Sequence, residues 1–229
     1  MRVTLDVFQQ LGGAVEGPDA LRLALFNWKF KRPSYEDWSS LVEEAVSYEV
    51  SRISLRKADL QDLDEDGITA VLIIALEAMG LAASSARVNG NCDVTFSYNN
   101  EYLWIAEAKI FTGVAHVWGG YLQLTSRYAS GLPDHNRGGV LLYCLKGEAS
   151  GLLEEWRASL AAQVADSDAR PSPYPLSFLS SAGVAATGLL MQLTHFAFPL
   201  YHEPMEDKVR MTPEAFAAGR KAKKAAGID

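Results

Sequence analysis

The stretch Asn91-Cys92-Asp93-Val94-Thr95-Phe96-Ser97-Tyr98-Asn99-Asn100-Glu101-Tyr102-Leu103-Trp104-Ile105-Ala106-Glu107-Ala108-Lys109 decides the fold. Two β-rich runs, Cys92 to Tyr98 and Tyr102 to Phe111, flank an Asn-Asn pair, a spacing that predicts a hairpin. Alternate residues of a strand share a face, so Glu107 and Lys109 point one way while Ala106 and Ala108 point the other. With Asn99, Asn100 and Glu101 as the loop, Tyr98 pairs with Tyr102, and counting back sets Asp93 opposite Glu107. A two-residue loop at Asn99 and Asn100 would set Asp93 against Ala106, on the wrong face, unless a bulge restored the register.

Before the hairpin, the acidic run Asp62, Asp64, Glu65, Asp66 opens an apolar stretch from Ile68 to Met79, and Gly80 closes it, which predicts a helix. Ala86 to Val88 is a further short strand, giving three. Helical spacing returns over Gly119 to Ala129, ending at Gly131 and Pro133, and Gly139 to Lys146 is a buried strand. Leu152 to Val164 is helical, Asp166 to Ser181 is a Pro- and Ser-rich loop, and Gly188 to Leu200 is a final strand. Residues 61–205 thus form one α/β unit of helix, three strands, helix, strand, helix, strand. A helix between the third and fourth strands requires a crossover, so the sheet is expected to be mixed, with a parallel step there. Residues 1–60 are expected to be a helical embellishment, broken at Pro33 with Ser34 capping ahead of Asp37, and 206–229 a tail with a short basic helix from Thr212.

At 229 residues and 48% hydrophobic, the chain can bury one sizeable core. Its net charge of −7 argues against coating nucleic acid or anionic lipid through bulk charge. A duplex partner would need positive charge concentrated locally, with Lys29 to Arg32, Arg52 to Lys57, Arg220 to Lys224, Arg127 and Arg137 as the candidates. Two cysteines, Cys92 and Cys144, make no disulfide framework, and the short apolar stretch around Arg2 and Asp6 lacks the shape of a secretory signal, so a cytoplasmic protein is expected. Pro171 to His202 has no charged side chain besides histidine, yet its prolines and short apolar runs favour a loop and buried strand over a membrane span. No GxSxG elbow, zinc-type spacing of His and Cys, or phosphate-cradling glycine loop is present.

Two carboxylates held close together cannot both remain ionised cheaply unless something positive lies between them. A divalent cation meets that need, and Mg²⁺ is commonly held by one or two carboxylates with substrate phosphate supplying further oxygens. A lysine beside it can stabilise charge developing on a phosphoryl group or help activate water. Asp93, Glu107 and Lys109 therefore suit phosphodiester hydrolysis.

Asp93, a hairpin, and Glu107-Ala108-Lys109, set between the helices predicted above, resemble the PD-(D/E)xK (restriction-endonuclease-like) nuclease superfamily. The resemblance covers about 140 residues and implies a core of helix, three strands, helix and strand around a mixed sheet. It further implies Mg²⁺, with Mn²⁺ able to substitute, bound by Asp93, Glu107 and an acid on the preceding helix, Glu65 first and Asp66 second. Lys109 and Gln123, the latter within Gly119-Gly120-Tyr121-Leu122-Gln123-Leu124, are the remaining carried-over positions. The sequence departs from the pattern in having Cys92 where proline often precedes the first acid. The implied activity is endonucleolytic cleavage of DNA, less often RNA, in settings such as restriction or antiphage defence. The expected partners are nucleic acid and either a second copy of the chain or a regulatory protein.

Plainer readings exist for each residue. Asp93, Glu107 and Lys109 could be a cross-strand ion pair on a solvated face, though Leu103, Ile105 and Phe111 continue that face with apolar side chains. Glu65 and Asp66 could serve only the helix dipole, Gln123 could be an exposed helix residue, and His116 an incidental loop histidine. The alternative for the whole chain is a nuclease-like module without catalysis that binds nucleic acid or a protein.

Overall fold

The computed structural model describes residues 18–28, 30–84 and 92–204. It opens with helices α1 (Pro18–Asn27) and α2 (Tyr35–Ser54). Ser34 caps α2, its Oγ accepting the Asp37 N–H at 3.1 Å and donating to Asp37 Oδ2 at 2.7 Å. After a single turn, α3 (Lys57–Leu60), helix α4 (Glu65–Ala78) begins where Asp64 Oδ1 accepts the Gly67 N–H at 2.9 Å. Gly80, at φ +98°, closes α4: its N–H donates to the Glu77 carbonyl and that of Leu81 to the Leu76 carbonyl, as in a Schellman motif.

Strands β1 (Ala83–Ser84), β2 (Val94–Tyr98) and β3 (Tyr102–Ile110) follow. The expected strand at Ala86 to Val88 lies outside the described residues, as does Asn91 at the start of the deciding stretch. In the hairpin, Asn99 and Asn100 both have positive φ, 51° and 58°, and the Glu101 N–H donates to the Tyr98 carbonyl, the pattern of a type I′ turn. Glu101 is the extra residue, so the pairing falls on Tyr98 with Tyr102 and runs back to Val94 with Ala106. A tight turn and the three-residue register therefore coexist.

Helix α5 (Val114–Gln123) starts five residues earlier than the Gly119 its spacing suggested and runs into a π-helical turn over Leu124–Tyr128. The glycines at 113 and 119–120 obscure its beginning in the sequence. Strand β4 (Arg137–Cys144), helix α6 (Ala149–Gln163) and strands β5 (Arg170–Pro171), β6 (Ser177–Gly183) and β7 (Leu190–Pro199) complete the fold. The Pro- and Ser-rich segment expected as loop thus holds two strands; β6 alternates buried Phe178, Ser180 and Ala182 with outward residues and pairs antiparallel with β7.

Among the described residues the seven strands are ordered β1-β2-β3-β4-β7-β6-β5, with β3, β4 and β7 parallel and the other pairs antiparallel. The protein is α/β, its mixed sheet flanked by helices. Trp104, Ala106, Ala108, Leu141, Tyr143, Phe196 and Phe198 pack on one side beneath α1, α2 and α4, and Ile105, Val140, Leu142, Leu193 and Ala197 on the other beneath α5 and α6. Among the described residues no helix is long and apolar enough to cross a membrane.

Helix α2 shares the core of the first side and is also stapled to the sheet by polar contacts. The Tyr35 hydroxyl donates to the Leu103 carbonyl and accepts the Arg137 N–H, each at 3.0 Å. Buried Glu43 takes the Arg137 guanidinium in a two-point pair, Oε2 with Nη2 at 2.7 Å and Oε1 with Nε at 3.2 Å. Burial pushes the Glu43 carboxyl up, opposed by that guanidinium. Arg137 is therefore a structural cation, which removes it from the candidate nucleic-acid contacts. Arg32 and Arg52 likewise lie against Glu101 and Glu49, while Lys29 and Arg220 to Lys224 lie outside the described residues. On β7, fully buried His195 accepts from Trp156 Nε1 at 3.0 Å on Nδ1, pairs with Ser180 Oγ at 2.8 Å on Nε2, and stacks on Phe178. Burial lowers its pKa to about 3, so it is a neutral core residue.

Removing one partner of a buried ion pair strands the other charge. Arg137→Ala is expected to destabilise the protein by about 3 kcal/mol in urea unfolding; a loss under about 1 kcal/mol would assign the pair to the ordinary surface kind.

Candidate active site

Strand β2 starts at Val94, opposite Ala106, but β3 continues to Ile110. Beyond that point, among the described residues, no strand pairs with that edge of β3. The Phe111 N–H still donates to the Tyr143 carbonyl on the β4 side, whereas the Ala108 and Ile110 N–H groups face the vacated edge. Buried N–H groups need acceptors, and both receive carboxylates: Asp93 Oδ2 accepts from Ala108 and Glu65 Oε2 from Ile110, each at 2.8 Å. Asp93 comes from the residue just before β2 and Glu65 from the first turn of α4.

Lys109 lies between them on β3. Its ammonium has three donors, which go to Glu107 Oε1 at 2.9 Å, Glu65 Oε1 at 3.0 Å and the Ala108 carbonyl at 2.8 Å, with Asp93 Oδ2 at 3.7 Å. The Lys109 side chain is 12% exposed and that of Glu107 3%. The group is thus not a solvated surface pair. Three carboxylates meet one ammonium, and Glu107 Oε2 is buried with no hydrogen-bond partner.

Helix α5 makes this burial possible. A Cβ on Gly120 would lie 2.8 Å from Lys109 Cγ and 3.2 Å from Glu107 Cγ, so only a residue without a side chain lets the helix cover the pair. One helical turn before Gly120, His116 Nε2 stands 3.7 Å from Glu65 Oε2. His116 belongs to α5 and not to a preceding loop, and it adjoins the site.

Of the two acids expected from α4, Glu65 makes the contacts; Asp66 is exposed, and its charge acts on Asp93 through space. Gln123, at the end of α5, is half-buried and is not brought into hydrogen bonding with any of the four charged residues. Cys92 is buried, its thiol donating toward the Val94 carbonyl at 3.4 Å and the Ala106 carbonyl at 3.2 Å, and burial pushes its pKa up to about 12. It caps strand carbonyls and is not a nucleophile. Behind the site, Thr69 Oγ1 donates to the Glu65 carbonyl at 2.8 Å and meets the buried Tyr143 hydroxyl at 2.9 Å, tying the start of α4 to β4.

Burial pushes the Glu107 carboxyl up to about 7, with the Lys109 hydrogen bond opposing and Asp93 reinforcing the shift. Asp93 is raised first by burial, against the Ala108 N–H and Lys109. Burial disfavours the charged Lys109 amine, yet its hydrogen bond and attraction to Glu107, then to Glu65 and Asp93, outweigh that and push its pKa up. The amine is therefore held as ammonium.

Among the described residues no three His, Cys, Asp or Glu side chains form a ready metal cage. Mg²⁺ commonly needs only one or two carboxylates, completing its shell with water and substrate oxygens. Asp93 and Glu107 offer hard oxygens, and the unpartnered Glu107 Oε2 is the atom a cation would satisfy. The residues present fit such an ion. No protein-family model, curated protein or solved structure matches the chain.

A carboxyl with a raised folded pKa binds more protons when folded than unfolded between the two values, so stability falls as pH rises through that window. Wild-type stability is expected to drop between about pH 5 and about pH 7.5, with Glu107 responsible for a share on the order of 2 kcal/mol. Glu107→Gln removes that share, measured as the difference between the two proteins in urea unfolding across the same range. Parallel pH profiles would show that Glu107 ionises as an ordinary glutamate.

Proposed function

We propose that the chain is a metal-dependent nuclease of the PD-(D/E)xK (restriction-endonuclease-like) type, hydrolysing phosphodiester bonds of nucleic acid, DNA in preference to RNA. The observation that carries this reading is the meeting of Asp93, Glu107 and Glu65 on Lys109, with one buried Glu107 oxygen left unpartnered. The order of α4, β1 to β3, α5 and β4 around the site supports it.

In this reading Asp93 and Glu107 would hold Mg²⁺, with Glu65 nearby. The bound ion would supply Lewis-acid polarisation of the phosphate and lower the pKa of water. The water oxygen bonds to phosphorus, the bond from phosphorus to the leaving sugar oxygen breaks, the attacking water releases its proton to bulk solvent and the leaving oxygen takes one from solvent. Lys109, kept protonated by its carboxylates, is a poor base and a good donor, so its role is to stabilise charge on the phosphoryl oxygens. Glu65 aims that ammonium and fixes the Ile110 end of β3. Cutting both strands of a duplex calls for two such sites, which a homodimer would supply.

Purified protein is expected to nick supercoiled plasmid with Mg²⁺ or Mn²⁺, to stop with EDTA, and to lose about 10²-fold or more of its rate in Lys109→Ala and Asp93→Ala. Equal cleavage by wild type and both variants would exclude the site, and no cleavage by wild type would exclude the activity.

A further inference from the structure

A cleft of about 580 Å³ opens where β3 and β4 end, immediately past Lys109. Ligands of α/β sheets commonly bind outside the carboxyl ends of parallel strands. Ile110, Phe111, Leu145 and Leu152 wall it, and exposed Lys146 and Glu155 stand at its lining. Among the described residues neither charge is in an ion pair. The cleft and the acid cluster adjoin: Ile110 gives its N–H to Glu65 and also lines the cleft. Ile110 and Phe111 follow Lys109 by about 3–7 Å along the strand, on the order of one nucleotide step.

We propose that this cleft seats one unstacked nucleoside beside the bond to be cut, a proposal that rests on the nuclease reading above. The base lies against the four apolar side chains and its phosphate against Lys146. Glu155, acceptor-only when ionised, takes an exocyclic amino group. A base stacked inside a duplex cannot enter such a pocket, so the substrate is either unpaired at that position or extrudes its base there. Cytosine, adenine and guanine carry the amino group and thymine does not.

The test uses mononucleotides without metal, followed by backbone amide resonances of the full chain. Titration with dCMP is expected to shift residues 110–113 and 145–146, with dCMP bound about tenfold more tightly than dTMP. Glu155→Gln abolishes that preference, Lys146→Ala weakens both ligands, and Leu152→Trp, which fills the cleft, blocks both. The two exposed variants carry the test if Leu152→Trp does not fold. Absence of shifts at these residues, or binding indifferent to Lys146→Ala and Glu155→Gln, would overturn the proposal. Plasmid nicking separates the two readings: nicking without dCMP binding sinks the cleft alone, while dCMP binding without nicking sinks the nuclease and leaves a nucleotide pocket.

Discussion

The site depends on a mismatch in strand length. Strand β2 begins opposite Ala106 while β3 runs on to Ile110, and the two N–H groups left on the open edge, Ala108 and Ile110, are taken by Asp93 and Glu65. Backbone satisfaction and the assembly of acids are therefore one event. Had a strand stayed paired with β3 as far as Ile110, its carbonyls would have occupied the same donors and neither carboxylate would have had reason to turn inward. The Thr69–Tyr143 contact and the Gly120 approach act on this arrangement from behind and above, fixing where α4 begins and how closely α5 can cover it.

The charge balance follows. Asp93, Glu65 and Glu107 share one ammonium, and α5 closes over Lys109 and Glu107 so that water does little to spread the excess. Burial and mutual repulsion appear as a glutamate raised to about 7, and the ammonium is stabilised in proportion. A purely structural cluster would gain by replacing one acid with an amide, as at many buried polar networks. On the function proposed above, the excess of acid around Lys109 is matched by a cation from outside.

Much of this was readable from residues alone, for identifiable reasons. Loop length left two hairpin registers open, of which the structure has the one pairing Tyr98 with Tyr102, while the β-sheet period alone put Glu107 and Lys109 on one face. The α4 boundaries were carried by Asp64 and Gly80, whose capping roles are local. What stayed hidden was non-local. Arg137 looked like a free cation until Glu43, 94 residues earlier, was folded against it. Strand β6 hid in a Pro- and Ser-rich segment because its pairing with β7, and not its composition, makes it a strand. His116 could have been found from helix period, lying four residues before Gly120, but only with the start of α5 placed at Val114.

The position of Cys92 illustrates how a departure from a resemblance is absorbed. Its thiol donates to the Ala106 carbonyl, on the last rung that β2 pairs, while the next residue supplies the acid that takes the Ala108 N–H. A proline there would preset the backbone ahead of the acid but could offer that carbonyl no donor. Cysteine leaves the turn into β2 less constrained and compensates with a buried hydrogen bond. Asp93 is thus oriented from both sides: by the thiol contact of the residue before it, and by the N–H that its own carboxylate accepts.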